Sequence, residues 1–393
     1  MSSEPTTWQE LRDTIPALRH QTYLNTGVSG PPPAFALEEE LRWTRWLAET
    51  GPGRPDVMQA AFDELDRVRA TLARFIGADA DEVALTQSCS NGMAVVAAGL
   101  DWRPGDEVLV SEELEHMSGL LPWYDLERRR GVVVRTVPAR EGAAKAEDFE
   151  GAITDRTKLI CMSHVAYNTG ARLPVEEVAR LARERGVLLL VDGAQGPGNV
   201  PVDVHAMGAH FYAAAGQKWL LGPDGTGVLY VAKGALETVQ ATHLGWASFE
   251  HQPGTPVREL RLHEGARRFE VAGKHVPSLA ALRRSTEALL SLGMTAVESR
   301  IRELAARFRA GLGRIPGVDV VTPADPDLWS GLVVFRIDGV DVEDAVARLW
   351  ERRRIVIRWI PSPRALRASF HVFNTEDEVD ALVEAVADLA RAR

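Results

Sequence analysis

Apolar positions along the chain recur with two interleaved patterns. From residue 80 to 232, short continuous apolar runs fall at Glu82–Leu85, Glu107–Val110, Val132–Val137, Thr157–Met162, Val187–Val191, His210–Ala214 and Gly227–Val231. Stretches of helical spacing separate most of them, including Asn91–Leu100, Leu120–Arg130 and Val175–Arg185. Apolar strands alternating with helices predict a mostly parallel sheet covered on both faces. In such sheets ligands sit at the carboxyl ends of the strands.

Upstream, Tyr23-Leu24-Asn25-Thr26-Gly27 precedes a strong break at Gly30-Pro31-Pro32-Pro33. Helices are predicted over Ala34–Glu49 and Met58–Ile76, the second with Leu65, Val68, Leu72 and Phe75 on one face. Downstream of about residue 276 the pattern changes. A long helical region, Ser278–Leu312, is punctuated at Gly293. Strands follow near Val318–Val321 and Leu332–Ile337, then a helix Val342–Arg353, strands near Ile355–Arg358 and Arg367–Val372, and a last helix Glu376–Arg391. The chain therefore reads as α/β. Residues 20–275 form a large domain with a mostly parallel central sheet, and residues 1–19 and 276–393 form a smaller α+β domain.

Composition narrows the function. A chain of 393 residues is long for one core, so two domains are expected. No run of about 18 apolar residues predicts a membrane span. The N-terminus lacks the basic start and apolar run of a secretory signal. The net charge of −10 disfavours nucleic acid as a partner. The Arg128–Arg130 and Arg352–Arg354 clusters read as helix ends meeting their dipoles. Only Cys89 and Cys161 are present, which predicts a reducing, cytoplasmic setting with no disulfide framework and no zinc set.

Four loops at strand ends carry candidate chemistry. Lys218 stands among Ala213-Ala214-Ala215-Gly216-Gln217 and Gly222-Pro223-Asp224-Gly225-Thr226-Gly227. Small neighbours let a flat ligand approach the backbone, and burial turns a lysine into a nucleophilic amine. The apolar run Leu188–Val191 ends in Asp192-Gly193-Ala194-Gln195, where a buried carboxylate needs a cation. A protonated pyridine nitrogen would serve, and so would a plain helix cap. Ser88, Cys89 and Ser90, in Thr86–Gly92, precede a helix and read either as a phosphate site or as an ordinary cap. Glu115-His116 opens the next helix, where a histidine could lie flat on a ring.

In order, Ser88-Cys89-Ser90-Asn91-Gly92, Glu115-His116, Ser163 to Gly170, Asp192-Gly193-Ala194-Gln195 and Gly216-Gln217-Lys218-Trp219-Leu220-Leu221-Gly222-Pro223 resemble the class V aminotransferase, or cysteine-desulfurase-like, family of fold-type I pyridoxal 5′-phosphate (PLP) enzymes. The resemblance implies that Lys218 carries PLP as a Schiff base and Asp192 pairs with the ring nitrogen. It implies that Gln195 and Asn168 bond the phenolic oxygen or the substrate, and that His116 stacks on the ring. It places Ser88, Cys89 (through its backbone), Ser90 and Gln217 at the phosphate. Two departures stand out. Gln217 occupies the place of a usual histidine, and Gly273 that of a threonine which reaches the phosphate of a neighbouring subunit, with Lys274 beside it as a compensating cation. That loop implies a homodimer whose active site two chains share.

Within the family, the segment Arg358–Arg364, where a desulfurase thiol would fall, has no cysteine. Ser163-His164, Asn168-Thr169-Gly170, Leu244 to Ser248, Arg268 to Ala272, Ile357-Arg358 and Arg367-Ala368 look instead like the L-cysteine/cystine C–S lyase branch. That likeness implies a small amino-acid substrate whose carboxylate is held by Arg367, with Arg358 as a second anchor and Asn25, Thr26 and Gly27 alongside. An aminotransferase or epimerase would use the same residues up to proton abstraction, and a catalytically silent PLP-fold protein is the remaining alternative.

Overall fold

The computed structural model describes residues 4–250 and 254–392. The helices are α1 (Trp8–Asp13), α2 (Ala34–Thr50), α3 (Pro55–Ile76), α4 (Cys89–Gly99), α5 (Met117–Arg130), α6 (Ala146–Ala152), α7 (Val175–Glu184), α8 (Val204–Met207), α9 (Val276–Leu292), α10 (Met294–Leu312), α11 (Val342–Arg353) and α12 (Glu376–Arg391). The strands are β1 (Thr22–Tyr23), β2 (Val83–Thr86), β3 (Glu107–Val110), β4 (Val133–Thr136), β5 (Thr157–Ser163), β6 (Leu188–Asp192), β7 (Phe211–Ala215), β8 (Gly227–Val231), β9 (Val318–Val320), β10 (Leu332–Ile337), β11 (Ile355–Val356), β12 (Arg358–Ile360) and β13 (Ala365–Ser369).

Seven strands form the central sheet in the order β2-β8-β7-β6-β5-β3-β4. The pairs β4–β3–β5–β6–β7 are parallel, whereas β8 runs antiparallel to both β7 and β2. Apolar side chains fill one core on each face. One holds Leu85, Ile160, Met162, Leu189 and Val191, the other Val108, Val110, Leu159, Cys161 and Leu190. Neighbouring residues of a strand point to opposite faces, so a strand buried on both sides reads as an unbroken apolar run.

The smaller sheet has the order β12-β13-β10-β9 and is antiparallel throughout. Its own core includes Phe308, Phe335, Leu349, Phe370 and Leu382. The helical region predicted to start the smaller domain splits between the two bodies. Val276, Leu279, Leu282 and Leu289 of α9 and Val297 and Ile301 of α10 pack into the large core, while Leu304, Phe308 and Leu312 of α10 pack into the small one. The change from one core to the other falls within α10, between Ile301 and Leu304. None of the described helices is long and apolar enough to cross a membrane.

The outer edge of β2 is closed by side chains. Glu270 Oε1 accepts from the Leu85 amide at 2.9 Å, and the Lys274 amine donates to the Leu85 carbonyl at 2.7 Å. Arg69 pairs with the same Glu270 oxygen at 2.5 Å, and both side chains are buried. An open strand edge invites pairing with another chain, and this cluster occupies it.

Candidate active site

A pocket of about 400 Å³ opens where the central strands end, and Lys218, Asp192, His116, Ser90, Gln217 and Arg367 all line it. Residues from four sequence-distant loops and from the smaller domain meet there, as the sheet topology requires.

Lys218 follows the last residue of β7 in a loop held by the N-terminal arm. The Gly30 amide donates to the Gln217 carbonyl at 2.7 Å, and a Cβ at Gly30 would strike the Lys218 carbonyl oxygen. Only glycine allows that crossing. The half-buried Lys218 amine has no hydrogen-bonded partner among the described residues. Burial pushes its pKa below the usual lysine range, against the opposing pull of Asp192.

Asp192 ends β6 at 5% exposure. Its Oδ1 accepts from the Ala194 amide at 2.8 Å and from the Cys89 thiol at 3.2 Å. None of the described lysines, arginines or histidines forms an ion pair with it, so a buried carboxylate faces the pocket without a cation. Such a group is costly unless a positive partner arrives. The nitrogen of a pyridinium ring meets that need.

The phosphate end is equally ready. Ser88 caps α4, its Oγ accepting from the Asn91 amide at 3.1 Å. The first-turn amides of Cys89 and Ser90 then remain open at the positive end of an 11-residue helix. Gln217 lines the same floor, its Oε1 buried without a partner. Cys89, read from the sequence as a backbone ligand alone, has a second task, because its side chain reaches Asp192 and the Ala213 carbonyl. His116 caps α5, its Nδ1 accepting from the Ser118 amide at 3.2 Å, and its ring stands edge-on to Tyr167 at 5.0 Å. Burial first, and the Lys218 charge second, lower its pKa below the usual imidazole value, which favours the neutral ring.

At the substrate end, Arg367 on β13 is 1% exposed. Its Nη1 donates to the Tyr167 carbonyl at 2.8 Å, but Nε and Nη2 are buried without a partner. Burial pushes its pKa down to about 9. Two orphaned donors on one planar fork suit a carboxylate. Gly27 makes the room, since a Cβ there would sit 3.1 Å from Nη2 and 2.9 Å from Ser369 Oγ. Arg358 is exposed at the rim.

Some expected residues are placed differently. Gln195 lines the pocket, but its amide is engaged with the Gly27 carbonyl (2.8 Å) and with Trp219 Nε1 (2.7 Å), so it positions those two groups. Asn168 stands behind the wall, its Nδ2 donating to the Glu113 and Ser362 carbonyls at 2.7 and 3.0 Å. Asn25 and Thr26 also lie outside the lining, with Asn25 Oδ1 and Thr26 Oγ1 buried and unpartnered. Gly273 and Lys274 line a separate concavity of about 530 Å³ with Gln87 and Asn91, and Lys274 is tied to Leu85 of its own chain. Tyr167 lines the pocket as a wall, and sequence reasoning missed Glu115 as a buried acid. An acidic residue directly after the apolar Leu114 was the available signal.

The residues thus fit PLP from end to end. Lys218 would bind its aldehyde, Asp192 its ring nitrogen, the start of α4 its phosphate, and His116 would cover its face. Comparison with known proteins agrees. Over 403 residues the chain is 30% identical to a probable cysteine desulfurase of Methanothermobacter thermautotrophicus, covering 97% of this chain and 98% of that protein. It is 33% identical to the isopenicillin N epimerase of Streptomyces clavuligerus, covering 96% and 97%. A solved structure of the cystine C–S lyase C-DES with its reaction product cysteine persulfide superposes with a TM-score of 0.90 at 30% identity, covering 95% of this chain and 99% of that one. Another C-DES structure, with glycine covalently linked to the PLP cofactor, also scores 0.90. Residues 23–382 match the model of the family described as aminotransferase class-V; the chain is a member of that family, a fold-type I enzyme whose cofactor is PLP.

Proposed function

We propose that this PLP-dependent enzyme is a C–S lyase that β-eliminates sulfur from a cystine-type amino acid, giving pyruvate, ammonia and a persulfide or sulfide. The observation that carries this reading is where the two thiols lie. Cys89 is buried against Asp192, Cys161 is buried within β5, and the pKa of each is pushed far above the usual thiol range, chiefly by burial. Neither is the accessible thiolate that would take sulfur onto the protein. A substrate carrying its own second sulfur, such as cystine, removes that requirement, because the sulfur leaves as a persulfide.

PLP, when bound, supplies an electron sink for the α-carbon. The chain's residues do the rest. Arg367 takes the α-carboxylate on its free Nε and Nη2 donors, which fixes the substrate's orientation. Lys218, once released, takes the α-proton as a general base, and its lowered pKa keeps a share of it unprotonated at working pH. Asp192 holds the proton on the ring nitrogen. The Cβ–S bond then breaks with its electron pair on sulfur, and hydrolysis of the remaining fragment yields pyruvate and ammonia. Two chains sharing the site through the 269–275 loop form part of this proposal.

The identity to an isopenicillin N epimerase favours a second reading, in which Lys218 returns the proton instead of losing a leaving group. Product analysis separates the two. PLP-loaded enzyme given L-cystine should release pyruvate and persulfide sulfur in equal amounts. Recovered substrate with inverted configuration, or a keto acid accompanied by pyridoxamine phosphate, would replace the lyase with an epimerase or an aminotransferase.

A further inference from the structure

Glu115 has no part in the steps above, yet it is among the most deeply buried acids in the described chain, at 3% exposure. It lies between β3 and α5. Its Oε1 accepts from the Ser163 amide at 2.6 Å, and Ser163 Oγ lies 2.7 Å from its Oε2. Ser163 ends β5 and is the register partner of Asp192 at the end of β6. The two carboxyl groups therefore stand at the ends of adjacent strands. Gly119, in the first turn of α5, separates them. A Cβ there would come within 3.1 Å of Glu115 Oε2 and 3.5 Å of Asp192 Oδ2. None of the described cations pairs with Glu115. The titratable groups facing it are Asp192 from β6, the Cys161 thiol from β5 and Tyr167 from the loop after β5, with His116 next to it in the chain.

We propose that Glu115 is a neutral, proton-holding neighbour of Asp192, a positioning residue that leaves Asp192 as the single negative charge at the ring-nitrogen end of the pocket. This rests on the cofactor assignment and is independent of the lyase reading. Two buried carboxylates facing one ring cation would leave an uncompensated charge in an apolar setting, and protonating one of them restores the balance. Burial first, and the Asp192 charge second, raise the Glu115 pKa to about 8. A raised carboxyl pKa means a neutral group below that value and an anion above it. Near pH 7 the pair thus carries one charge, and on the alkaline side it gains a second, which holds protons more firmly on the cofactor's nitrogens.

The test is a titration of the holoenzyme's visible cofactor absorbance from about pH 6 to about pH 10, with PLP dissociation constants at the acid end, for wild type, Glu115→Gln and Ser163→Ala. Near pH 6.5 Glu115→Gln should match wild type in spectrum, and in PLP affinity within about threefold, since the native group is already neutral. Above about pH 8 the wild-type transition should lie about one pH unit higher than that of Glu115→Gln, which cannot gain the charge. Ser163→Ala removes a hydroxyl that steadies the anion, so it should move the step attributed to Glu115 upward. Superimposable wild-type and Glu115→Gln titrations would overturn the proposal, as would PLP affinity lost beyond threefold at the acid end. If Glu115→Gln does not fold, Ser163→Ala decides, and an unmoved or lowered step overturns it. A wild type that takes up no chromophore at all would instead strike at the cofactor assignment itself.

Discussion

The thiol of Cys89 donates to Asp192 Oδ1 across 3.2 Å, so the residue that opens α4 also steadies the buried acid at the end of β6. Cys89→Ala removes one of two donors to that oxygen. A cost of about 1 kcal/mol is expected, a fall of roughly fivefold in kcat/KM. Cys89→Ser keeps a donor and should stay within about twofold of wild type. Steady-state kinetics on both variants check this, and equal losses in the two would show that the thiol merely fills space.

Lys218→Ala removes the amine proposed to serve as both the cofactor's anchor and the proton-transferring base. Turnover should fall by at least about 10³-fold, and borohydride should no longer fix the cofactor covalently, as mass spectrometry would show. In wild type, the unprotonated amine appears at lower pH than in an ordinary lysine because burial lowers its pKa. The rate of α-proton exchange should therefore rise with pH and level off below the usual lysine value of about 10.4.

Arg367→Lys replaces a bidentate fork with a point charge. KM for the amino acid should rise about 10- to 100-fold, with cofactor absorbance unchanged. Variants assayed with substrate and titrated with PLP separate the two effects. Weakened PLP binding with an unchanged KM would place Arg367 at the cofactor instead.

Gly27→Ala puts a methyl group 2.8 Å from Leu332 Cδ2 and 3.1 Å from Arg367 Nη2. The guanidinium must shift, so KM should rise roughly tenfold, and overpacking should cost about 1–3 kcal/mol of stability. Thermal unfolding together with KM reports both.

Glu270→Gln breaks the buried pair with Arg69 and weakens the bond to the Leu85 amide. Leaving Arg69 unpaired should cost about 3 kcal/mol, seen as a lowered Tm. Increased hydrogen exchange confined to β2 would trace the loss to the sheet edge.

Much of the fold is legible in the sequence because strands buried on both faces must be apolar throughout. The seven runs read between residues 80 and 232 correspond to β2 through β8, with no end moved by more than one residue. The reversed direction of β8 is not legible, since its Gly-Val-Leu-Tyr-Val pattern suits either direction. Single residues at strand ends, Asp192 and Lys218, stand out because a charge beside an apolar run needs a reason. Glu115, the thiol contact of Cys89 and the engagement of Gln195 depend on side chains that meet only in three dimensions. Where the helical region Ser278–Leu312 passes from one core to the other, within α10, is not legible either, since one helical pattern runs through both parts.

The reversed strand β8 has a mechanical consequence. Leaving the Lys218 loop, the chain turns and lies between β7, which delivers the lysine, and β2, which delivers the first turn of α4. Gly227, its first residue, packs so tightly that a Cβ would fall 2.8 Å from both the Ala214 carbonyl oxygen and Thr86 Oγ1. The proposed anchor for the aldehyde and the proposed cradle for the phosphate are thereby riveted through one shared seam. The distance between these two proposed grips on the cofactor is tied to the spacing of three neighbouring strands, whereas Arg367 reaches the pocket from the smaller domain's own sheet.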